Sequence, residues 1–316
     1  MINRTLVRTR VIQTLFAYYK DGDKTPLTAK KELLKSFSDT YDLYVLLLDF
    51  VNEMTLYAEQ QIQQAEQRAK VTHQSYAANR RFVNNRLAQQ VFNNHHIRNY
   101  IANNQLSWDA GMSAVSTVYK QLQDMPFYRD YMRAPEDDFE ADKRVWRRIF
   151  EMLQDNEALE SALEEMEVVL DRQNWTVDAD LIISFVIKTI KRFREETGAE
   201  QDILPMFAQE SELQFAKDLL RHAIEEKPRY EQLIDTHLRN WDAQRIAYMD
   251  RIILQVALAE IFHFPDIALE VSFNEYIELS KEYSSDKSYT FINGVLTEIL
   301  RDLKKEGTFT KSLMVK

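Results

Sequence analysis

Five glycines, Gly22, Gly111, Gly198, Gly294 and Gly307, are spread along the whole chain, too far apart to build a Walker A loop or a GxGxxG turn. That spacing argues against nucleotide-dependent chemistry of the common kinds. Only six prolines accompany them, while Leu, Ala, Glu, Gln, Lys and Arg are abundant, a balance that favours long helices over sheet. The expected fold class is all-α. With 316 residues, 45% of them hydrophobic, the chain can bury a sizeable core. No cysteine is present, which removes disulfides, thiolate nucleophiles and Cys-ligated metal centres.

Charge and hydropathy narrow the function further. No run approaches the roughly 18 apolar residues of a membrane helix, and arginines stand where a signal peptide would be apolar, so a cytoplasmic protein is expected. The formal net charge of −10 means that any nucleic-acid binding must come from a local basic patch. Six histidines, His73, His95, His96, His222, His237 and His263, show no HExxH or paired-ligand spacing. Neither a metal site, a cofactor nor an enzymatic role is expected.

Along the chain, Val7, Val11, Leu15 and Tyr18 recur at helical spacing and predict a first helix over 3–20, ending before Asp21-Gly22-Asp23. A long helix is predicted over 28–68, and its almost continuously apolar middle, 41–50, belongs inside a bundle. A basic, Asn/Gln-rich block over 67–108 follows, and then an acidic stretch over 135–171. Further helices are predicted over 144–154, 157–171, 177–196, 211–226, 229–238, 241–262, 273–283 and 287–305, with Ser272 and Glu275 as a capping box for the 273–283 helix.

Three segments of the last third, DRIILQVALAEI at 250–261, VSFNEYIELSK at 271–281 and FINGVL at 291–296, occur in an order and spacing that resembles the NusB family. That family carries an ILRxAxxE helix, a NEAVELAK helix and an FVNGVLD helix. Near the other end, Arg4, Arg8, Gln13, Leu15 and Phe16 resemble its first helix, RxxxRxxxxQxLY. Two positions depart from the pattern: Gln255 stands where an arginine is usual, and Lys287 where the preceding loop often carries an acid. The resemblance implies a NusB-like double helical bundle, with 1–24 as its first helix, 25–175 as a long inserted helical region and 176–316 as the remainder. The helix over 177–196 would then be a candidate for the family's second.

What the resemblance implies for function is a non-enzymatic transcription antitermination factor. It would bind boxA-type single-stranded RNA together with the ribosomal protein NusE, in a transcription complex acting on rRNA genes. A second reading stays open, an interaction adaptor that keeps the fold and does not bind RNA.

Arg4 and Arg8 share the wheel position of Val7, Val11 and Leu15, so the stripe turns basic in the first two turns and that end is expected to project beyond the core. With Arg10 they are the candidate phosphate ligands, and replacing Arg4 and Arg8 is expected to leave stability nearly unchanged. Phe16 and Phe291 are candidate base-stacking rings, with Lys287 and Ser288 as donors beside Phe291. Asp250 and Glu260 are the candidate partner-binding acids. Arg80, Arg81, Arg86 and Arg98 form either a second RNA surface or a polar face that pairs with the acidic stretch.

Overall fold

The computed structural model describes residues 1–134, 138–238, 247–284 and 288–307. Among them the all-helical expectation holds: no strand forms, and Ile2 and Phe207 make one isolated parallel bridge. The helices fall into two compact units. An end unit combines 2–35 with 207–316, and a middle unit holds 36–206 with Met1.

The end unit contains α1 (Arg4–Lys20), the first turns of α2 (Pro26–Val71), α10 (Glu210–Glu225), α11 (Lys227–Thr236), α12 (Tyr248–His263), α13 (Leu269–Tyr283) and α14 (Ser288–Lys305). Helix α12 packs against α1, α10, α11, α13 and α14. Its sequence explains that position: Ile252, Ile253, Leu254, Val256, Ala257, Leu258, Ala259 and Ile261 are apolar all round the helix and all buried. Helix α1 turns Val7, Val11 and Leu15 inward at four-residue spacing. It begins where the Asn3 side chain accepts the Leu6 amide at 2.9 Å, satisfying one of the orphan donors of the first turn.

The expected capping box at Ser272 and Glu275 does not form. Helix α13 begins one turn earlier, with Ala268 as its cap residue, because Leu269 is needed in the core. Ser272 and Glu275 are thereby placed inside the helix, where both face α1 or α12 partners.

The middle unit contains the rest of α2, then α3 (Arg86–Asn93), α4 (His95–Asn104), α5 (Met112–Asp124), α6 (Pro126–Arg133), α7 (Phe139–Met152), α8 (Glu157–Val169) and α9 (Trp175–Arg192). Its core gathers Leu43 to Leu48 of α2 with Trp108, Trp146 and Trp175, all buried. Two of these tryptophans find polar partners on α2: Trp108 Nε1 donates to the Leu46 carbonyl at 2.9 Å and Trp175 Nε1 to the Asp39 carbonyl at 2.6 Å. Tyr44 shares a 2.7 Å hydroxyl hydrogen bond with Thr189 of α9. Helices α3 and α4 lie in the basic, Asn/Gln-rich block, and α5 and α6 between it and the acidic stretch. Asn85 caps α3 and Asn94 caps α4, and Pro126 stands at the first position of α6.

Candidate nucleic-acid interface

The first two turns of α1 do not project from the core. Arg8 is 2% exposed and is held by α12 and α13. Its Nε and Nη2 donate to the two carboxylate oxygens of Glu260 at 2.7 and 2.9 Å, and Nη1 lies 3.2 Å from Glu275. Glu260, fully buried, also accepts from Ser272 Oγ at 2.7 Å and from the Tyr276 hydroxyl at 2.9 Å. A buried charge without such partners would be prohibitive, so this network is the reason that Arg8 can be inside at all. Arg8 as an open phosphate ligand and Glu260 as a partner-binding surface acid are both corrected: each is occupied by the other. Arg10 is buried too and donates to Gln13 Oε1 at 2.8 Å. Arg4 alone of the three is exposed, with its guanidinium 5.3 Å from the centre of the Phe215 ring.

The other end of α1 carries a different surface. Phe16, Tyr18 and Tyr19 are half-buried and Lys20 is exposed. The Phe16 ring lies 5.9 Å from that of Tyr248, the first residue of α12, which is 48% exposed. Lys20 Nζ sits 5.6 Å from the Phe16 ring, and Lys227 Nζ, from the start of α11, 3.9 Å from the Tyr19 ring. Open aromatic faces flanked by ammonium groups are what sequence-tolerant binding of single strands uses, rings for bases and cations for phosphates. Burial, against the hydrogen bond from Gln255, pushes the Tyr19 hydroxyl up to about 12, so it stays a neutral donor beside such a ligand. Of these residues the sequence reading singled out Phe16 only. The signal for Tyr18, Tyr19 and Lys20 is the cluster of three aromatic rings closed by a lysine over 16–20, which the apolar periodicity of the helix masks.

Gln255, the departure from the family pattern, is buried and donates to both the Tyr19 hydroxyl and the Ala223 carbonyl, each at 2.6 Å. A neutral amide fills that spot without a charge to compensate. At the start of α14, Ser288 Oγ donates to Asp250 Oδ2 at 3.0 Å, with both residues buried. Asp250 is therefore a link between α12 and α14, which corrects its reading as a surface acid. Phe291 is buried among core residues, which corrects its reading as an open stacking ring. Lys287 lies outside the described residues.

The basic block of the middle unit is largely engaged by carboxylates. Arg80 pairs with Glu59 of α2 and with Glu66 at 3.4 Å. Arg81, buried, lies 3.4 Å from Asp142 and 4.4 Å from the Tyr131 ring. Arg86 reaches Asp142 at 3.4 Å and Glu195 at 2.6 Å. Arg98 on α4 is exposed. Arg81 and Arg86 thus follow the alternative of pairing with the acidic stretch, through Asp142.

The NusB family model matches residues 184–301, from within α9 to α14. Over 133 residues the chain is 35% identical to the transcription antitermination protein NusB of Salinibacter ruber, covering 40% of this chain and 83% of that protein. The chain belongs to the NusB family. The NusB proteins of Bacillus pumilus and Bacillus licheniformis are each 42% identical to it, over 92 and 90 residues, covering 29% and 28% of this chain and 70% of each relative. These NusB relatives are named as transcription antitermination proteins, not as enzymes. The likeness is confined to the NusB part of the chain.

Proposed function

We propose that this NusB-family protein is an RNA-binding antitermination factor that takes boxA-type single-stranded RNA, together with NusE, during rRNA transcription. The observation that supports this best is the cluster of Phe16, Tyr248 and Tyr19 with Lys20 and Lys227 in the end unit. Arg4, at the N-terminus of α1, adds a cation where the helix dipole also favours a phosphate. The two ends of α1 lie about 24 Å apart at 1.5 Å per residue, a span that several nucleotides of an extended strand would cover.

Each phosphate contact on single-stranded RNA contributes a slope of about −0.7 to log affinity against log salt. Anisotropy titrations of the full chain with a boxA RNA, repeated with NusE, test the reading. Lys20→Ala/Lys227→Ala should flatten the slope by about 1.4, and NusE should tighten binding, since a ligand held across two proteins couples them. An unchanged slope together with unchanged affinity would remove this surface from the RNA path.

The adaptor reading draws support from the burial of Arg8 and Arg10, which takes two arginines out of the cationic surface. NusE binding by a chain that has no salt-dependent RNA affinity would establish it instead.

A further inference from the structure

We propose that His222, Glu226 and His263 form a binding site for a divalent transition-metal ion of the zinc class. The site lies in the end unit, where α10 passes into α11 and α12 ends. His222 stands in the last turn of α10, Glu226 four residues on is the link to α11, and His263 is the last residue of α12. The sequence shows no local two-histidine motif because the second histidine arrives from a helix 41 positions away.

One donor atom from each of the three residues lies within 4.8 Å of the other two. His263 Nε2 is 2.5 Å and His222 Nδ1 3.9 Å from the same oxygen, Glu226 Oε1. Zinc binds imidazole nitrogen and carboxylate oxygen at about 2.0–2.2 Å, so donors sharing one ion sit roughly 3–3.5 Å apart. The three atoms bracket that separation, and small side-chain rotations reach it. His263 Nε2 is buried against the Glu226 carboxylate, and a cation held between the two would take the place of that contact.

The surroundings fit a shared ion. The two imidazoles stack face to face, with centroids 3.6 Å apart and planes 7° from parallel. Arg229 Nη1 donates to Glu226 Oε2 at 2.7 Å, which fixes the carboxylate by its other oxygen and leaves Oε1 facing the histidines. Phe264, 6.3 Å from the His222 ring, provides an apolar wall. Arg221 lies 3.1 Å from His222 Nε2, and that nitrogen would carry the proton once Nδ1 binds metal. Arg221 already pairs with Asp218 at 3.1 Å and Glu225 at 3.3 Å, and withdrawal onto them removes the conflict.

Two imidazoles and one carboxylate suit zinc, cobalt or nickel better than magnesium or calcium, and three protein ligands leave a fourth position for water. The ion would tie the α10–α11 corner to the end of α12. This inference is independent of RNA binding.

The full chain, stripped with chelator, should bind one equivalent of Zn2+ in calorimetric titration, melt at a higher temperature with Zn2+ than without, and give a visible d–d band with Co2+. His222→Gln, Glu226→Gln and His263→Gln should each weaken Zn2+ binding by more than the roughly 10–100-fold that loss of an outer partner costs. The double variant His95→Gln/His96→Gln, whose histidines face Glu200 and Asp202 in the middle unit, should bind as the wild type does. Absence of stoichiometric binding by the wild type overturns the proposal, and so does wild-type affinity in His222→Gln and His263→Gln. Metal-free circular dichroism shows whether each variant is folded; if Glu226→Gln is not, the two histidine variants decide.

Discussion

Arg8 and Glu260, 252 positions apart, meet through two parallel hydrogen bonds of 2.7 and 2.9 Å, with neither side chain open to solvent. The pair joins the first helix of the end unit to its central one. Removing one member leaves the other charged and buried, at a cost of about 3–5 kcal/mol. Glu260→Ala should therefore lower unfolding free energy by that order in a denaturant titration, and Arg8→Ala similarly. Surface replacement of Arg8 without effect on stability, the expectation from the helical wheel, is ruled out by this burial. The double variant Arg8→Ala/Glu260→Ala should lose much less than the two single losses added together; strict additivity would deny the coupling.

Tyr248 presents nearly half of its side chain beside Phe16. A ring stacking on a base contributes about 1–3 kcal/mol, largely independent of salt. Tyr248→Ala should weaken boxA RNA binding by that amount with the salt slope unchanged, and should leave the melting curve close to that of the wild type. Phe291→Ala, a core truncation, is expected to do the reverse, costing about 3–5 kcal/mol of stability. Equal RNA affinity for Tyr248→Ala and the wild type would place the bases elsewhere.

Gly111 precedes α5, and a Cβ added there would meet Met166 Sδ at 2.6 Å and Trp108 Cε3 at 2.6 Å. Trp108 is pinned by its hydrogen bond to Leu46 and cannot swing aside freely. Gly111→Ala should destabilise the protein by about 1–3 kcal/mol, the usual cost of overpacking, with the loss seen as a lower denaturant midpoint. A midpoint equal to or above that of the wild type would mean the tryptophan can retreat.

Burial holds the Asp49 carboxyl above its ordinary range in spite of the Asn52 hydrogen bond, and Glu53, one turn on, is raised by burial, Asp49 and Asp109. A carboxyl whose folded pKa is raised contributes stability that is fully present below its unfolded pKa and lost as pH rises through the folded one. Asp49→Asn keeps an acceptor for Asn52 and removes the ionisation. It should melt above the wild type at about pH 7, with the difference shrinking towards about pH 3, below the usual carboxylate range. A variant that is less stable than the wild type at neutral pH would contradict this.

Helices α1 and α2 were legible in the chain because their apolar positions recur over many turns, and α12 because its apolar run is nearly continuous. Helices α3, α4 and α6 were not, since each has only two or three turns and its start is set by a single Asn or Pro. The site was harder to read. Arg8 and Glu260 look like surface charges when each is judged on its own helix, and only the pairing across 252 positions makes burial tolerable for both. Ser288 was misplaced for the same reason, as its partner Asp250 belongs to α12. Tyr19 and Lys227 escaped notice because a cation and a ring from separate helices carry no mark of their proximity.

The pairing of α1 with α12 also has a consequence for biosynthesis. At roughly 5–20 residues per second, Glu260 emerges from the ribosome on the order of 10–50 seconds after Arg8. For most of that interval Val7, Val11 and Leu15 lack the α10 and α12 side chains that later cover them, since α10 begins only at Glu210, whereas residues 36–206 are contiguous and can close as soon as they are made. Chain order thus has the middle unit folding first, while the earliest helix waits as an exposed apolar segment for the last third of the protein, the stage at which a holding chaperone would matter most.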